Sequence, residues 1–104
     1  MTIADIIRTH RGRAGSNGAW RVEHDDSDAF VGNEYSLWHY STRMLRWRES
    51  TRYGREIIDV SLGHGSVSDQ GGMNTAFRVL GAPWYFSRKG GAEIRNYESG
   101  EVIA

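Results

Sequence analysis

From its first turn the chain alternates between stretches of helical and of strand-like apolar spacing. Ile3, Ile6 and Ile7 share one helical face, and Thr2-x-x-Asp5 has the form of a capping box, so a two-turn helix is expected to about His10. A helix that short is unstable alone and must dock its isoleucines on the body of the protein. Residues 11–19 contain three Gly and no large apolar side chain, which predicts a flexible loop or tether. Trp20 to His24 then reads as a short strand, and His24-Asp25-Asp26-Ser27-Asp28 as a solvated acidic turn. Gly32-Asn33 lies between Ala29-Phe30-Val31 and Glu34-Tyr35-Ser36-Leu37, which suits a two-residue hairpin loop that pairs Phe30 with Tyr35.

From Tyr35 to Glu49 there is no Gly or Pro, and the stretch should be extended. Strict alternation sets Tyr35, Leu37 and His39 against Ser36, Trp38 and Tyr40, and later Met44, Arg46 and Arg48 against Leu45 and Trp47. One strand of that length would be unusual, so a bend or bulge is expected near Ser41-Thr42. A strand over 56–62 follows, antiparallel to its predecessor, with Ile58, Val60 and Leu62 on its apolar face and Ile57, Asp59 and Ser61 on the other. After Gly63-His64-Gly65-Ser66-Val67-Ser68 the spacing of Met73, Ala76, Phe77 and Leu80 predicts a buried-face helix over 68–80. Ser66 or Ser68 is its N-cap, and Gly81 with Pro83 its stop. Gly71-Gly72 weakens its first turn by about 1 kcal/mol per Gly relative to Ala, a cost expected where another backbone or a ligand approaches closely.

The remainder, Trp84 to Tyr97, reads as a hairpin around Lys89-Gly90-Gly91, and 98–104 as a frayed tail or a last edge strand through Val102 and Ile103. The fold class is therefore α+β: a single domain over residues 1–104, an antiparallel sheet packed on one main helix, with a short N-terminal helix. At 104 residues the chain can bury one core. No apolar run approaches a membrane span and no signal-peptide pattern opens the chain, so a cytoplasmic protein with no membrane partner is expected.

The absence of Cys removes disulfides, zinc-thiolate sites and thiol nucleophiles together. Net charge is zero, which argues against general nucleic-acid binding, yet the charges are segregated. Residues 16–34 hold one Arg against five carboxylates, and residues 35–58 hold five Arg against two. All the basic residues but Lys89 are Arg, a bias that fits a GC-rich genome as well as a need for planar cations.

Three kinds of chemistry are suggested. Gly63, His64, Gly65, Ser66 and Ser68 form a glycine-rich turn between strand and helix that can aim backbone N–H groups at an anion, although Asp69 competes with one and simple capping explains the same residues. Hydrolysis through His64 with Ser66, Ser68 and Asp69 rests only on sequence proximity, and no nucleophile-elbow pattern is present. Trp38, Tyr40, Arg43, Arg46, Trp47 and Arg48 interleave rings and guanidinium groups, the composition of protein hot spots and of single-stranded nucleic-acid surfaces. His10, His24 and His39 are scattered, so neither a metal site nor a cofactor is expected.

His39-Tyr40-Ser41-Thr42-Arg43-Met44, followed by Gly65-Ser66-Val67-Ser68 and a helix containing Asn74, resembles a group of small uncharacterised proteins from phages of actinobacteria. The resemblance covers about residues 35–97, where a Tyr-Ser-Thr strand and a Ser-Val-Ser turn lead into a helix. It implies a compact α+β domain and a phage source, and brings no activity, cofactor or catalytic residue. Together these readings predict a non-enzymatic phage accessory protein in the host cytoplasm that binds a host protein. Homodimerisation is a further option, and single-stranded nucleic acid is the alternative partner.

Overall fold

The N-terminal helix α1 (Ile3–Thr9) starts at a full capping box between Thr2 and Asp5 and stops at His10, which takes the left-handed conformation. The structure is a computed structural model that describes residues 1–28 and 32–104. After α1 come strands β1 (Gly12–Ala14), β2 (Trp20–Asp28), β3 (Gly32–His39), β4 (Thr42–Ser50) and β5 (Gly54–Val60). Helix α2 (Val67–Leu80) and a hairpin of β6 (Trp84–Ser87) and β7 (Glu93–Asn96) complete the chain. The first five strands form one antiparallel sheet in sequential order, and β6–β7 pair separately.

Several expected boundaries move. Residues 11–19 are not a free tether: β1 pairs with β2 and buries Ala14, and Ser16–Gly18 form a 3-10 turn. Strand β2 does not stop at His24 but continues through the acidic run to Asp28, pairing as far as Gly32. Gly32 and Asn33 are strand residues rather than a loop, and Tyr35 faces His24 instead of Phe30, which lies outside the described residues. The long segment after Tyr35 is split by a complete reversal, with His39 paired to Thr42 across Tyr40-Ser41.

Two bulges then decide which side chains enter the core. Between β3 and β4 the pairs Leu37–Leu45 and Trp38–Arg43 leave Met44 as the extra residue, so Met44 and Leu45 are both buried instead of alternating. Between β4 and β5 the pairs Trp47–Ile57 and Arg46–Asp59 leave Ile58 unpaired, and Ile57 takes the inward place expected of Ile58.

The inner face of the sheet carries Trp20, Val22, Tyr35, Leu37, Leu45 and Trp47, in one core with Ile6 and Ile7 of α1 and Met73, Ala76, Phe77 and Leu80 of α2. Helix α2 packs on this face with α1 beside it, and β6 lies along α2. The shortest dimension of the molecule is 19 Å, the depth of one sheet and one helical layer. The β6–β7 hairpin adds Phe86 and Ile94, paired opposite one another and fully buried. Asn74 on α2 binds both backbone groups of Phe86, accepting at 2.7 Å and donating at 3.1 Å, which ties the hairpin edge to the helix. The C-terminal tail is held beside β7 by the Arg95–Val102 bridge and by backbone hydrogen bonds from Ile94 N–H to Ala104, Asn96 N–H to Glu101 and Ile103 N–H to Ile94, with Ile103 and Ala104 packed on the core.

The paired glycines of α2 have opposite surroundings. A Cβ on Gly72 would lie 2.1 Å from the Trp20 indole, whereas one on Gly71 would touch nothing within 4 Å. Gly72 is thus a point of close approach, by a side chain rather than by the backbone or ligand expected, and Gly71 is not. Gly71→Ala should raise stability by about 1 kcal/mol through helix propensity, while Gly72→Ala should lower it by at least about 2 kcal/mol through overpacking. Urea denaturation of the two variants checks this contrast, and Phe77→Ala, expected to cost about 3–5 kcal/mol, calibrates it.

Candidate functional site

Three elements meet where β3 reverses into β4. His39, the last residue of β3, points inward with its ring stacked on Trp20 at 4.0 Å and 7°. Its Nδ1 is 2.6 Å from Asp69 Oδ1, and its Nε2 is 3.4 Å from Ser68 Oγ. Asp69 is only 2% exposed. The partners are about thirty residues apart in sequence, so the cluster is a product of the fold.

Asp69 also organises the glycine-rich turn. Its Oδ2 accepts from the backbone N–H of His64 at 3.0 Å and of Ser66 at 3.1 Å, while Ser66 Oγ accepts from the Asp69 N–H. This is a capping box whose carboxylate fills the concavity expected to receive an anion. The anion-binding assignment of Gly63, His64, Gly65, Ser66 and Ser68 is corrected accordingly: the Gly63 and Gly65 N–H groups are taken by Ser61 Oγ and the Leu62 carbonyl. Gly63 has φ 59°, and a Cβ there would come within 2.7 Å of the Met44 sulfur and 3.0 Å of Asp69 Oδ2. His64 is exposed and contributes only its backbone.

Burial alone would raise the Asp69 pKa, but hydrogen bonds from His39 and from the Ser66 and His64 backbone outweigh it and hold the carboxyl below its ordinary value. An ionised carboxylate only accepts, so the proton shared with His39 belongs to Nδ1, and Nε2, the nitrogen facing Ser68, is the one that carries the lone pair whenever the ring is neutral.

Beyond His39 the chain displays Tyr40. This residue is 64% exposed and has φ 53°, an unfavourable left-handed conformation for an aromatic residue. Both its backbone groups are tied down: its N–H donates to the Ala19 carbonyl at 2.7 Å, and its carbonyl accepts from Arg21 Nη1 at 2.6 Å. The same guanidinium lies 4.8 Å over the Trp38 ring and pairs with Glu23. Arg21 was not among the candidates read from the sequence, because it sits in an acidic segment and its partners come from another strand.

The residues of the expected Arg and aromatic surface divide between the outer face and the core. Trp38 is half-buried and Arg43 exposed near the turn, with Arg46 and Arg48 half-buried further along β4. Trp47 is the correction: it alternates inward, is 0% exposed and donates to Glu49, so it cannot anchor a partner. Glu34 binds Arg48 at 2.6 Å and Arg46 at 3.7 Å, and Arg48 also reaches Glu56. Glu34 of the acidic block thus meets Arg46 and Arg48 of the basic block across adjacent strands. The Nε groups of Arg46 and Arg48 and the indole N–H of Trp38 are nevertheless buried with no hydrogen-bond acceptor among the described residues.

No family model, curated protein or solved structure matches this chain. Among the described residues no helix is long and apolar enough to cross a membrane, and no three His, Asp or Glu side chains are grouped as metal ligands.

The depressed Asp69 pKa fixes the sign of a pH effect. With the folded value below the ordinary 3.8, its contribution is fully present above that value and fades as pH falls through the folded pKa. Asp69→Asn should therefore cost at least about 2 kcal/mol at neutral pH through lost charge-assisted hydrogen bonds. It should also flatten the acid limb of stability against pH, as followed by urea melts from pH 7 to pH 3.

Proposed function

We propose that this is a phage accessory protein of the host cytoplasm that binds a host protein through the β3–β4 turn and the adjacent sheet face. The observation that carries this reading is Tyr40. A large ring held outside the core, on a backbone conformation costing on the order of 1 kcal/mol or more, is a feature that folding alone gives no reason to keep. Trp38, Arg21 and Arg43 surround it, and rings beside guanidinium groups are the side chains that dominate interface energies once water is excluded. Protein is favoured over single-stranded nucleic acid because Glu34 and Glu56 already answer the charge of Arg46 and Arg48.

The test uses Tyr40→Gly, since Gly accepts the left-handed conformation without strain. This variant should stay within about 1 kcal/mol of the parent in stability while losing capture of the partner from nuclease-treated host lysate. Equal capture by the variant would remove Tyr40 as the anchor. Capture that disappears on nuclease treatment of the parent sample would point to nucleic acid, and a concentration-dependent mass in sedimentation would point to self-association.

A further inference from the structure

We propose that Ser68 is a nucleophile activated by His39, and that this end of the protein transfers acyl groups from carboxylic esters presented at its open surface. The contacts run in the order a serine hydrolase needs: carboxylate to Nδ1, and Nε2 to a hydroxyl. Asp69 fixes the tautomer that leaves Nε2 able to accept a proton, and the Trp20 face stacked on the ring holds its plane. The 3.4 Å separation between Nε2 and Ser68 Oγ lies in the looser range of unliganded sites.

A purely structural role for Ser68 would satisfy His39 but would not require the rest of the arrangement. Ser68 is exposed on the first turn of α2, and the backbone N–H groups of Val67 and Ser68 make no hydrogen bond among the described residues. Donors at a helix N-terminus beside the nucleophile are placed to receive developing oxyanion charge. Val67, 67% exposed, and Tyr40 flank the relay and offer apolar contact to an acyl or aryl group. Sequence proximity groups His64 with Ser66, Ser68 and Asp69, but His39, distant in the chain, is the imidazole that reaches the Ser68 hydroxyl.

In the first step Ser68 Oγ attacks the ester carbonyl carbon while its proton passes to His39 Nε2. The carbon–oxygen bond to the leaving group then breaks, and that proton returns to the departing oxygen, giving an alcohol and acyl-Ser68. Water attacks the acyl carbon in the second step and yields its proton to His39. Ser68 leaves with that proton and the free acid is released, so the relay ends as it began. Asp69 acts as a positioning residue throughout.

This chemistry goes beyond the binding reading and fails separately from it. The full chain is treated with a fluorophosphonate, the adduct is located by peptide mass spectrometry, and hydrolysis of p-nitrophenyl acetate is followed in parallel. The expected result is one phosphonyl group on Ser68. Ser68→Ala should carry no adduct and hydrolyse the ester about 100-fold more slowly, and His39→Gln should label on the order of 100-fold more slowly. Because His39 is also buried, Ser68→Ala is the primary comparison: its side chain lies at the surface, and a thermal melt of the variant checks that the fold is kept. An unlabelled Ser68 in folded parent protein, or a label spread equally over Ser41, Ser66 and Ser68, overturns the proposal. Host-protein capture should be the same for Ser68→Ala and the parent, which separates this outcome from the test of Tyr40.

Discussion

The structure depends most on the Asp69 carboxylate. One buried group caps α2 through Ser66, closes the glycine-rich turn through the His64 and Ser66 N–H groups, and holds the end of β3 through His39. Each of these segments would otherwise leave polar groups buried or mobile, and burial of an unpaired carboxylate would be prohibitive. The reciprocal condition also holds, since only with all these donors in place is the ionised form favoured in so closed a position. Helix, turn and sheet are therefore fixed relative to one another by a shared electrostatic centre as well as by apolar packing.

Around that centre the sheet is adjusted by bulges more than by its overall period. The bulge at Met44 lets two successive residues of β4 enter the core, and it brings the thioether under Gly63, where a side chain on the turn would collide with it. The bulge at Ile58 returns Ile57 to the inner face beside Trp47 while Asp59 faces outward next to Arg46. On the outer face cross-strand pairing brings Arg46 and Arg48 of β4 to Glu34 of β3, so the two guanidinium groups share one half-buried carboxylate.

What could be read from the sequence follows from how local each determinant is. Both helices, the capping box of α1 and the buried stripe of α2 depend on residues three or four apart and were legible, whereas the N-cap of α2, open between Ser66 and Ser68 in the sequence, is Ser66 in a capping box with Asp69. The inward set Tyr35, Leu37 and His39 was legible too, because a single strand keeps its period between irregularities. Registers were not. Whether Tyr35 meets Phe30 or His24 depends on a turn whose chemistry the sequence leaves ambiguous, and each bulge inverts every alternation downstream of it. The cluster at His39 left one usable signal: an imidazole on an otherwise apolar strand face must find a hydrogen-bond partner, and Asp69 within a helical start was available. Arg21 left none, since its contacts depend on the pairing of β2 with β3 and on the turn beyond.

The strain at Tyr40 and the fixed imidazole beside it arise from the same constraint. His39 must face Asp69 and Thr42 must pair with His39, which leaves only two residues for the reversal. A two-residue turn between twisted strands requires a positive φ, and Gly or Asn would meet that need at least cost. The chain instead places Tyr there and ties its backbone to Ala19 and Arg21, so β2 stabilises a turn that β3 and β4 alone would disfavour. Arg21 in turn is held by Trp38 and Glu23, which makes the outer face part of the same arrangement. The Tyr40 backbone, the stacked guanidinium and the buried imidazole are therefore tied into one arrangement, which fixes in advance the backbone from which the exposed ring projects.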